Sequence, residues 1–445
     1  MSEGTSATGM ELKKEFTAEL KAIIPSSQQI AKTEGLEAAI NMLLAFEKKC
    51  RLANDFNNLK EVCLHMVRLC REKNDWAKLN SILSVINKRR SQSKTAIQSV
   101  VEEAYTYLDQ CPDVSTKMEL ATTLKEVVAG KIYVEAQSAR LHLLLALILE
   151  EKGDIAGACD MIQDVHVETY GSISKLEKAE YILQQIRLNL KRKDYIRTMI
   201  QSRKMNRKTI EEAGFEAVKV SFYNMMIEYH TKEKDTWEIC QSYYKIYDTT
   251  ITKDDIAKKN AALESCVIFL ILSKFDNHAS DMLHRLKLLK DIENNAICHA
   301  VITLFTTAEI IAYPFPGQEL LQTHACFRQS FIDTATASEF HQLFQTRVIQ
   351  HNLRTCAKYY KRMHTQSLAA MLGLSADALE KHLSEMSSSG DLFLKIDRPK
   401  GIVSFEAPQS PESVLSDWSS DIGALLALME STSHLINRER MVNKV

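Results

Sequence analysis

Apolar residues along the chain follow helical spacing, and short polar breaks interrupt them at a regular distance. In LILEEKGDIAGA (147–158), an apolar run ends at Gly153-Asp154 and restarts at once with small residues. Because glycine ends helices and aspartate caps them, this stretch predicts a helix, a tight turn and a second helix. Similar breaks occur at seven positions, which we call the repeat markers: Gly35, Asp75, Asp113, Asp154, Asp194, Asp235 and Asp276.

The repeat markers predict a stack of helix pairs. Successive markers are 40, 38, 41, 40, 41 and 41 residues apart. Two columns of mainly apolar residues keep the same register. The column eight residues before the marker contains Val67, Tyr105, Ala146, Ile186, Ile227 and Ile268. The column eleven residues after it contains Phe46, Ile86, Leu124, Val165, Met205 and Ile246. Such self-similarity is typical of repeats that are too small to bury their own apolar face.

These repeats predict a helical-pair solenoid over residues 11–330, preceded by a disordered N-terminus at 1–10. The period exceeds the roughly 34 residues of tetratricopeptide repeats, so we expect a looser, related architecture. Lys287 interrupts the second column, as is typical of the last repeat of a stack.

The pattern changes after the Pro-Gly cluster at 313–317, and the new pattern predicts three helices. The first has an apolar stripe: Phe340, Phe344, Val348, Leu353, Cys356 and Tyr360. Gly373 and Gly390 end the next two helices, and Ser375 caps the second of these. Its inward face consists of Leu379, Leu383 and Met386.

A β-hairpin follows these helices. In DLFLKIDRPKGIVSF (391–405), Leu392, Leu394 and Ile396 share one face, and Ile402 begins the return strand. Three helices and a hairpin predict a winged helix over residues 331–406, a module that often binds DNA. Its charges argue against that role. The helix at 375–386 contains Asp377, Glu380 and Glu385 against Lys381 alone. The wing adds three cations, Lys395, Arg398 and Lys400, but no basic face results, so nucleic-acid binding is disfavoured.

The last segment, 407–445, predicts one long amphipathic helix. Ser410, Pro411 and Glu412 have the types of residue that begin helices. A stripe at intervals of three and four follows, which we call the C-terminal seam: Leu415, Trp418, Ile422, Leu425, Met429 and Ile436. The seam requires a covering surface. The sequence leaves two candidates for this surface: the winged helix of the same chain, and a helix of another protein.

Composition agrees with an all-α dominated fold. The 445 residues include only 13 Gly and 7 Pro, too few for a β-rich protein of this length. The net charge of −1 gives no general attraction to nucleic acid or anionic membranes. Ten cysteines without a CxxC pair are typical of buried, reduced thiols. The first ten residues lack an apolar stretch, and no stretch suits a membrane span. We therefore expect a protein of the cytoplasm and nucleus that does not bind membranes.

The sequence contains no catalytic or cofactor motif. Phosphate-binding loops, dinucleotide fingerprints, HExxH and GxSxG are absent. His278, Asp281 and His284 lie three residues apart, a spacing that diverges around a helix and disfavours one shared metal ion. We expect no catalytic residue, no cofactor and no metal, and hence no enzyme activity.

One basic cluster leaves three hypotheses open. It consists of Lys191, Arg192, Lys193, Arg197, Arg203, Lys204, Arg207 and Lys208. It can be a solvated helix surface, a contact for an acidic protein partner, or an RNA-binding site. Tyr195 alone offers an interleaved aromatic ring, which favours the first of these.

A helical-pair solenoid that leads into a winged helix resembles the PCI-domain family. Four stretches narrow the resemblance to a subunit of the proteasome lid: KIYVEAQSAR (131–140), VETYGS (167–172), LFTTAEIIAYP (304–314) and RVIQHNLR (347–354). The resemblance extends over about residues 10–442.

This resemblance implies a non-catalytic scaffold of the 26S proteasome regulatory-particle lid that supports assembly and positions the deubiquitinase for ubiquitin-dependent degradation. The winged-helix edge, with Leu392, Leu394, Ile396 and Ile402, would pair with other PCI lid subunits, and the C-terminal seam would join a lid helical bundle. Further implied partners are the JAMM-type deubiquitinase with its MPN partner, the ATPase ring and the core particle. The alternatives are a COP9 signalosome scaffold and an RNA-associated subunit of translation initiation factor three.

Overall fold

The computed structural model describes residues 4–33, 35–312, 334–406 and 410–443. The chain forms two compact units. The first consists of residues 1–233 with 249–251, and the second of 234–248 with 252–445. The boundary predicted at residue 330 and the Pro-Gly cluster lie outside the described residues.

The first unit is built from helices. Three short 3-10 turns, at Leu108–Gln110, Ile132–Val134 and Val167–Thr169, lie between them. The helices are α1 (Gly4–Thr33), α2 (Leu36–Leu52), α3 (Phe56–Glu72), α4 (Trp76–Lys88), α5 (Lys94–Tyr107), α6 (Val114–Val128), α7 (Glu135–Glu151), α8 (Ile155–Gln163), α9 (Lys175–Arg192), α10 (Tyr195–Lys204), α11 (Arg207–Ile210) and α12 (Glu216–Glu233).

The second unit combines helices with one small sheet. Its described elements, in chain order, are α13 (Thr236–Tyr247), α14 (Thr250–Asp254, which begins in the first unit), α15 (Ile256–Leu272), α16 (Asn277–Lys287), α17 (Lys290–Glu293), α18 (Ala296–Thr306), α19 (Thr334–Tyr359), β1 (Arg362–His364), α20 (Thr365–Leu372), α21 (Ala376–Ser388), β2 (Lys395–Asp397), β3 (Ile402–Ser404) and α22 (Pro411–Asn443). This confirms the predicted class, a helical-pair solenoid followed by a winged helix.

Every repeat marker is the N-cap residue of a helix, namely α2, α4, α6, α8, α10, α13 or α16. The side chain of Asp154 accepts a hydrogen bond from the Gly157 N–H, and Asp194 accepts one from Arg197. The preceding residue, Gly153 or Lys193, has a left-handed backbone. This conformation ends one helix, and the carboxylate then satisfies a free N–H of the next, so only two or three residues separate the two helices.

Both repeat columns lie in the core, with one partial exception. All six residues of the column after the marker are buried, from Leu124 at 0% exposure to Ile246 at 7%. In the column before the marker, only Tyr105 is half-buried. Lys287 is half-buried, and its Nζ donates to the Thr306 hydroxyl at 3.1 Å, while the neighbouring Leu286 is buried. Adjacent hairpins therefore bury each other's apolar faces, as the periodicity predicts.

Residues 4–10, for which the sequence predicts disorder, belong to α1. From Leu20 onward α1 packs against the core of α2 and α3. Extending a helix that is already formed costs little, because only one residue is fixed for each added hydrogen bond. Ser, Thr and Gly at the start of the chain hide this continuation from a sequence-based assignment.

The winged helix consists of α19, α20, α21 and a three-stranded antiparallel sheet in the order β1-β3-β2. In the predicted hairpin Ile396 faces Val403, which is fully buried. The predicted helix ends and the Ser375 cap are present, with Ser375 accepting from the Ala378 N–H. The apolar stripe of α19 is buried except for Tyr360, which follows the helix and is 45% exposed.

One helical segment of the described chain, Ile132–Glu151, has the length and composition of a membrane span. It lies within the stacked hairpins, where Ala139, Leu141, Leu145, Ala146 and Ile148 are buried. Core helices of soluble proteins share this composition, so the segment is weak evidence for a membrane.

Candidate protein-interaction surfaces

The C-terminal helix α22 is exposed along its whole length. It spans 33 residues, and none of them is buried by the described part of the chain. At about 1.5 Å per residue, a helix of this size is roughly 50 Å long. Ser410 begins it, since its hydroxyl accepts a hydrogen bond from the Ser413 N–H. The predicted start is therefore confirmed.

One side of α22 is apolar. All six residues of the C-terminal seam are exposed, from Ile422 at 42% to Trp418 at 63%. Leu426, which the prediction omitted, lies on the same side and is 59% exposed. It could have been found from the sequence, because it follows Ile422 by four residues. Ala424 and Ala427 lie on the opposite side of the helix. The arrangement is that of an amphipathic helix whose apolar face lacks a cover within the described chain.

The sheet of the winged helix offers two outer strands, β1 and β2, with β3 between them. The four residues predicted at the winged-helix edge occupy different places. Leu394 is buried at 9% exposure, and Leu392 and Ile396 pack against the core of the module. Ile402 belongs to the central strand, where it is paired with both His364 and Asp397. At the edge, the backbone of β2 is therefore available, whereas the side chains of Leu392, Leu394 and Ile396 face inward.

Strand β1 was missing from the sequence-based prediction. It has only three residues, with Met363 half-buried between exposed Arg362 and His364. Three residues are too few for an alternating pattern to stand out. Its partner β3 lies about 40 residues further along the chain, so no turn sequence next to β1 predicts the pairing either.

The cations of the wing contact acidic side chains and one aromatic ring of the same module. Arg398 pairs with Glu380 at 2.6 Å, and Lys400 lies 3.7 Å from Asp397. Lys395 Nζ lies 6.0 Å from the centre of the Phe393 ring. These contacts partly neutralise the wing, and α21 is acidic, so the described wing and α21 do not form the basic face that phosphate binding requires.

Four of the eight cations in the basic cluster at 191–208 contact acids of the preceding hairpin. Arg192 pairs with Asp160 at 2.7 Å, and Lys204 pairs with Glu168 at 3.1 Å. Lys191 binds Glu150, which also accepts two hydrogen bonds from Arg187. This favours the solvated helix surface among the three hypotheses, with an added structural role in joining neighbouring repeats.

Ion pairs of this kind recur along the first unit. Arg68–Glu103 and Arg140–Glu177 join residues 35 and 37 positions apart. Lys175–Glu212 and Arg187–Glu150 both span 37 positions. These separations approach one repeat, so the charges join equivalent surfaces of adjacent hairpins.

Potential reactive groups are sparse in the described chain. Nine cysteines are free thiols, eight of them buried, and Cys326 lies outside the described residues. Burial raises the pKa of the Cys63 thiol to about 12, so this thiol stays protonated and unreactive at neutral pH. Within the described ranges, no three His, Cys, Asp or Glu side chains are grouped as a metal site would need. That the protein binds no metal stays a prediction.

Sequence comparisons identify three matching regions. A family described as "PSMD12/CSN4, N-terminal" matches residues 38–255. A family described as "PCI domain" matches residues 322–407. A third, "26S proteasome regulatory subunit RPN5 C-terminal domain", matches residues 412–444, which include almost all of α22.

Relatives from three organisms match over nearly their full length. The 26S proteasome non-ATPase regulatory subunit 12 of Dictyostelium discoideum is 35% identical, with 94% of this chain and 93% of the relative covered. Its homolog A in Arabidopsis thaliana is also 35% identical, with 92% and 98% covered. The 26S proteasome regulatory subunit RPN5 of Saccharomyces cerevisiae is 31% identical, with 97% of both chains covered. With its PCI module and an RPN5-type C-terminal helix, the chain belongs to the family of 26S proteasome non-ATPase regulatory subunit 12 and RPN5.

Proposed function

We propose that the chain is a scaffold subunit of the lid of the 26S proteasome regulatory particle. The observation that carries this proposal is α22, an exposed helix with one apolar side that matches the RPN5 C-terminal domain. Relatives named as 26S proteasome regulatory subunits favour this function over the signalosome and initiation-factor alternatives. The protein assembles with other lid subunits and supports ubiquitin-dependent degradation.

The partner of α22 is a helical bundle. Burial of a Leu, Ile or Met side chain contributes about 1.5–3 kcal/mol, so covering the C-terminal seam drives association strongly. Spacing at three and four residues is typical of helix-on-helix packing. The described part of the chain buries no residue of α22, which supports a cover from other lid subunits over one from its own winged helix.

The winged helix provides a second contact through its outer strands. Their backbone N–H and C=O groups can pair with a strand of a neighbouring PCI subunit. Lys395 and Asp397 of β2 point outward and can determine which neighbour is accepted. Ile402 is central in the sheet, so its contribution is to hold β2 and β1 in register.

The further partners are the JAMM-type deubiquitinase with its MPN partner, the ATPase ring and the core particle. The subunit is non-catalytic and helps to position the deubiquitinase. It acts in the cytoplasm and nucleus. What supports these finer assignments is family membership together with a sequence that lacks catalytic motifs.

Affinity purification of the tagged full-length chain tests the proposal. We expect peptidase-bearing particles to co-purify, as identified by mass spectrometry. Deletion of residues 410–445 should leave a soluble, cooperatively folded protein that no longer enters the particle. Recovery of signalosome subunits or small ribosomal subunits instead would support one of the alternatives. A truncated chain that aggregates would show that α22 belongs to the protein's own core.

The non-catalytic role is tested with the purified chain alone. We expect neither cleavage of ubiquitin chains nor ATP hydrolysis, and no stoichiometric zinc by metal analysis. Activity that persists after all co-purifying subunits are removed would contradict this role.

A further inference from the structure

A cavity of about 240 Å³ lies in the second unit, bordered by α15, α16, α19 and the end of α18. Its apolar wall includes Leu270, Leu283 and Phe305, together with Phe275 at the rim. A space of this size accommodates one or two side chains, but not a folded segment. None of the interactions described above uses it.

The charged groups that line the cavity have one sign. Arg347, Arg354 and Lys358 of α19 contribute three cations, and His284 and His351 add two imidazoles. Among the described residues that line the cavity, none is Asp or Glu. An apolar cavity with an excess of positive charge is complementary to an anion that carries an apolar neighbour.

Arg347 has a structural role at the wall. Its Nε donates to the Leu272 carbonyl at 3.1 Å, at the last turn of α15, and its Nη1 donates to Gln350 at 2.7 Å. These bonds satisfy a helix-terminal carbonyl and fix the position of α19 beside α15. His351 similarly contacts the Glu309 carbonyl through Nε2 at 3.3 Å.

Like Arg347 and Lys358, Arg354 forms no ion pair with a carboxylate among the described residues. Its guanidinium lies 4.0 Å from the centre of the Phe275 ring. Burial lowers the pKa of Arg354 to about 10, although nearby Asp391 acts in the opposite direction. Asp391 is already bound to Lys274 at 3.4 Å and to the Ser389 hydroxyl at 2.7 Å. The carboxylate of Asp391 is therefore shared among several cations, and the cavity keeps an excess of positive charge.

We propose that this cavity binds an Asp or Glu side chain of a partner protein, carried next to an apolar residue. Arg354 binds the carboxylate through its planar N–H groups, and Lys358, one helical turn further along α19, adds a second cation. The apolar wall receives the neighbouring side chain. Phe275 holds the guanidinium in place before the partner arrives.

A carboxylate fits better than a phosphate group for two reasons. Four hydroxyls of the lining already donate to backbone carbonyls, so a dianionic phosphate would lose hydration without enough donors to replace it. These hydroxyls belong to Ser273, Thr306, Thr307 and Thr355. Arg347 already donates to the Leu272 carbonyl and to the Gln350 side chain, and His351 contacts the Glu309 carbonyl. Arg354 and Lys358 are therefore the cations that match a single negative charge. The site is separate from α22 and from the sheet edge, so the proposal does not depend on which complex the chain enters.

Binding of a short fluorescein-labelled peptide to the full-length chain tests the proposal. The peptide carries one glutamate between two leucines, and matched peptides carry glutamine or phosphoserine at that place. We expect the glutamate peptide to bind at least about tenfold more tightly than the glutamine peptide, as charge-assisted hydrogen bonds allow. Equal affinity for both, or binding of the phosphoserine peptide alone, would overturn the proposal.

Variants assign the binding to the cavity. Arg354→Gln should weaken binding about tenfold, and Lys358→Gln by a smaller factor, since Lys358 is exposed. Lys381→Gln, an equal charge change on exposed α21, serves as the control and should have no effect. Arg354→Lys keeps the charge and reports whether the planar donor group is required. If Arg354→Gln proves unstable, the other two variants decide. Unchanged affinity in both Lys358→Gln and Arg354→Lys would contradict the assignment.

A photo-crosslinking residue at exposed His284 then locates the segment in the assembled particle. We expect the crosslinked peptide to contain an Asp or Glu beside an apolar residue, and Lys358→Gln to reduce its yield. A crosslinked segment without an acidic residue would overturn the proposal.

Discussion

Helices α9 and α22 carry apolar side chains at the same helical spacing, yet one stripe is buried and the other is exposed. In α9, Ile182, Ile186 and Leu190 are 3%, 0% and 6% exposed. In α22, Leu425 and Met429 are 58% and 61% exposed. Helix α9 has α8, α10 and α12 of the same chain as neighbours, whereas the described chain buries no residue of α22.

The difference shows what amphipathic spacing specifies. It indicates a helix and the face that must leave water, but not the surface that covers this face. In α9 the cover is the next repeat, so the stripe stabilises the fold. In α22 the described chain supplies no cover, and we propose that another subunit does, so that the stripe stabilises a complex. Substitutions can separate these two uses through the free energy of unfolding of the isolated chain.

The largest loss of stability is expected in the covered stripe. Ile186→Asp places an unpaired carboxylate in a fully buried position and should cost about 3–5 kcal/mol. Urea denaturation of the purified chain measures this loss. Ile196→Asp, at a 77% exposed position of neighbouring α10, is the matched control and should change stability by less than about 0.5 kcal/mol. Equal effects of both substitutions would contradict the repeat register.

A smaller loss is expected at the ion pairs between repeats. Arg187 donates to Glu150 at 2.8 and 2.6 Å, and Lys191 also binds this carboxylate. Glu150→Gln should cost about 1–2 kcal/mol at pH 7. Glu151→Gln, at an exposed position next to it, should cost almost nothing.

The Glu150 contribution should depend on pH in a defined direction. Burial alone would raise the pKa of Glu150, but hydrogen bonds from Arg187 and Lys191 bring it below its usual range. Because the pKa is lower in the folded state, the contribution is present above the unfolded value of about 4.3 and is lost as pH falls through the folded pKa. The stability difference between wild type and Glu150→Gln should therefore shrink below about pH 4. A difference that stays constant from neutral pH down to the acid limit of folding would contradict an electrostatic origin.

The turns before the repeat markers should respond with opposite signs. Gly153 has φ 87° and Lys193 has φ 63°, both in the left-handed region. Gly153→Ala should destabilise the fold by about 1 kcal/mol, because a side chain is strained in this region. Lys193→Gly should stabilise the fold by about 0.5 kcal/mol, because the strain relieved exceeds the extra conformational entropy that glycine loses on folding. Thermal denaturation compares the two. A loss of stability in Lys193→Gly would show that its side chain contributes more than its backbone strain costs.

The smallest change in the isolated chain is expected in the exposed stripe. Leu425→Asp combined with Met429→Asp should leave the melting temperature unchanged, because neither side chain is buried. The same double variant should fail to enter the particle, as co-purification with lid subunits measures. Ala424→Asp with Ala427→Asp introduces equal charge on the opposite side of α22 and should assemble. If both double variants assemble normally, the C-terminal seam is not an assembly element.

Much of the fold could be predicted from local signals. The seven repeat markers are all N-cap residues, and at four of them, Asp75, Asp154, Asp194 and Asp235, the carboxylate accepts from an N–H only three residues away. Gly373, with φ 65°, ends α20 for an equally local reason. The C-terminal seam could be identified for the same reason, since its residues lie on one side of a single helix.

Other features depend on distant residues and escaped prediction. Strand β1 exists because it pairs with β3, and its three residues carry no alternation of their own. Leu392 and Ile396 were expected at a binding edge, but the core beneath the sheet takes their side chains. The cavity beside α19 joins residues from four helices that are far apart in the chain.

The sequence by itself determined where helices begin and end, which side of each is apolar, and that the pairs repeat about every forty residues. These properties depend on interactions between residues a few positions apart, so they can be predicted from composition and spacing. Only the tertiary structure decided which apolar sides are covered and which cations meet an acid 35–41 residues away. The physical reason is that burial and ion pairing depend on which surfaces stacking brings together, and the apolar face of α22 remains exposed because the described part of its own chain supplies no cover.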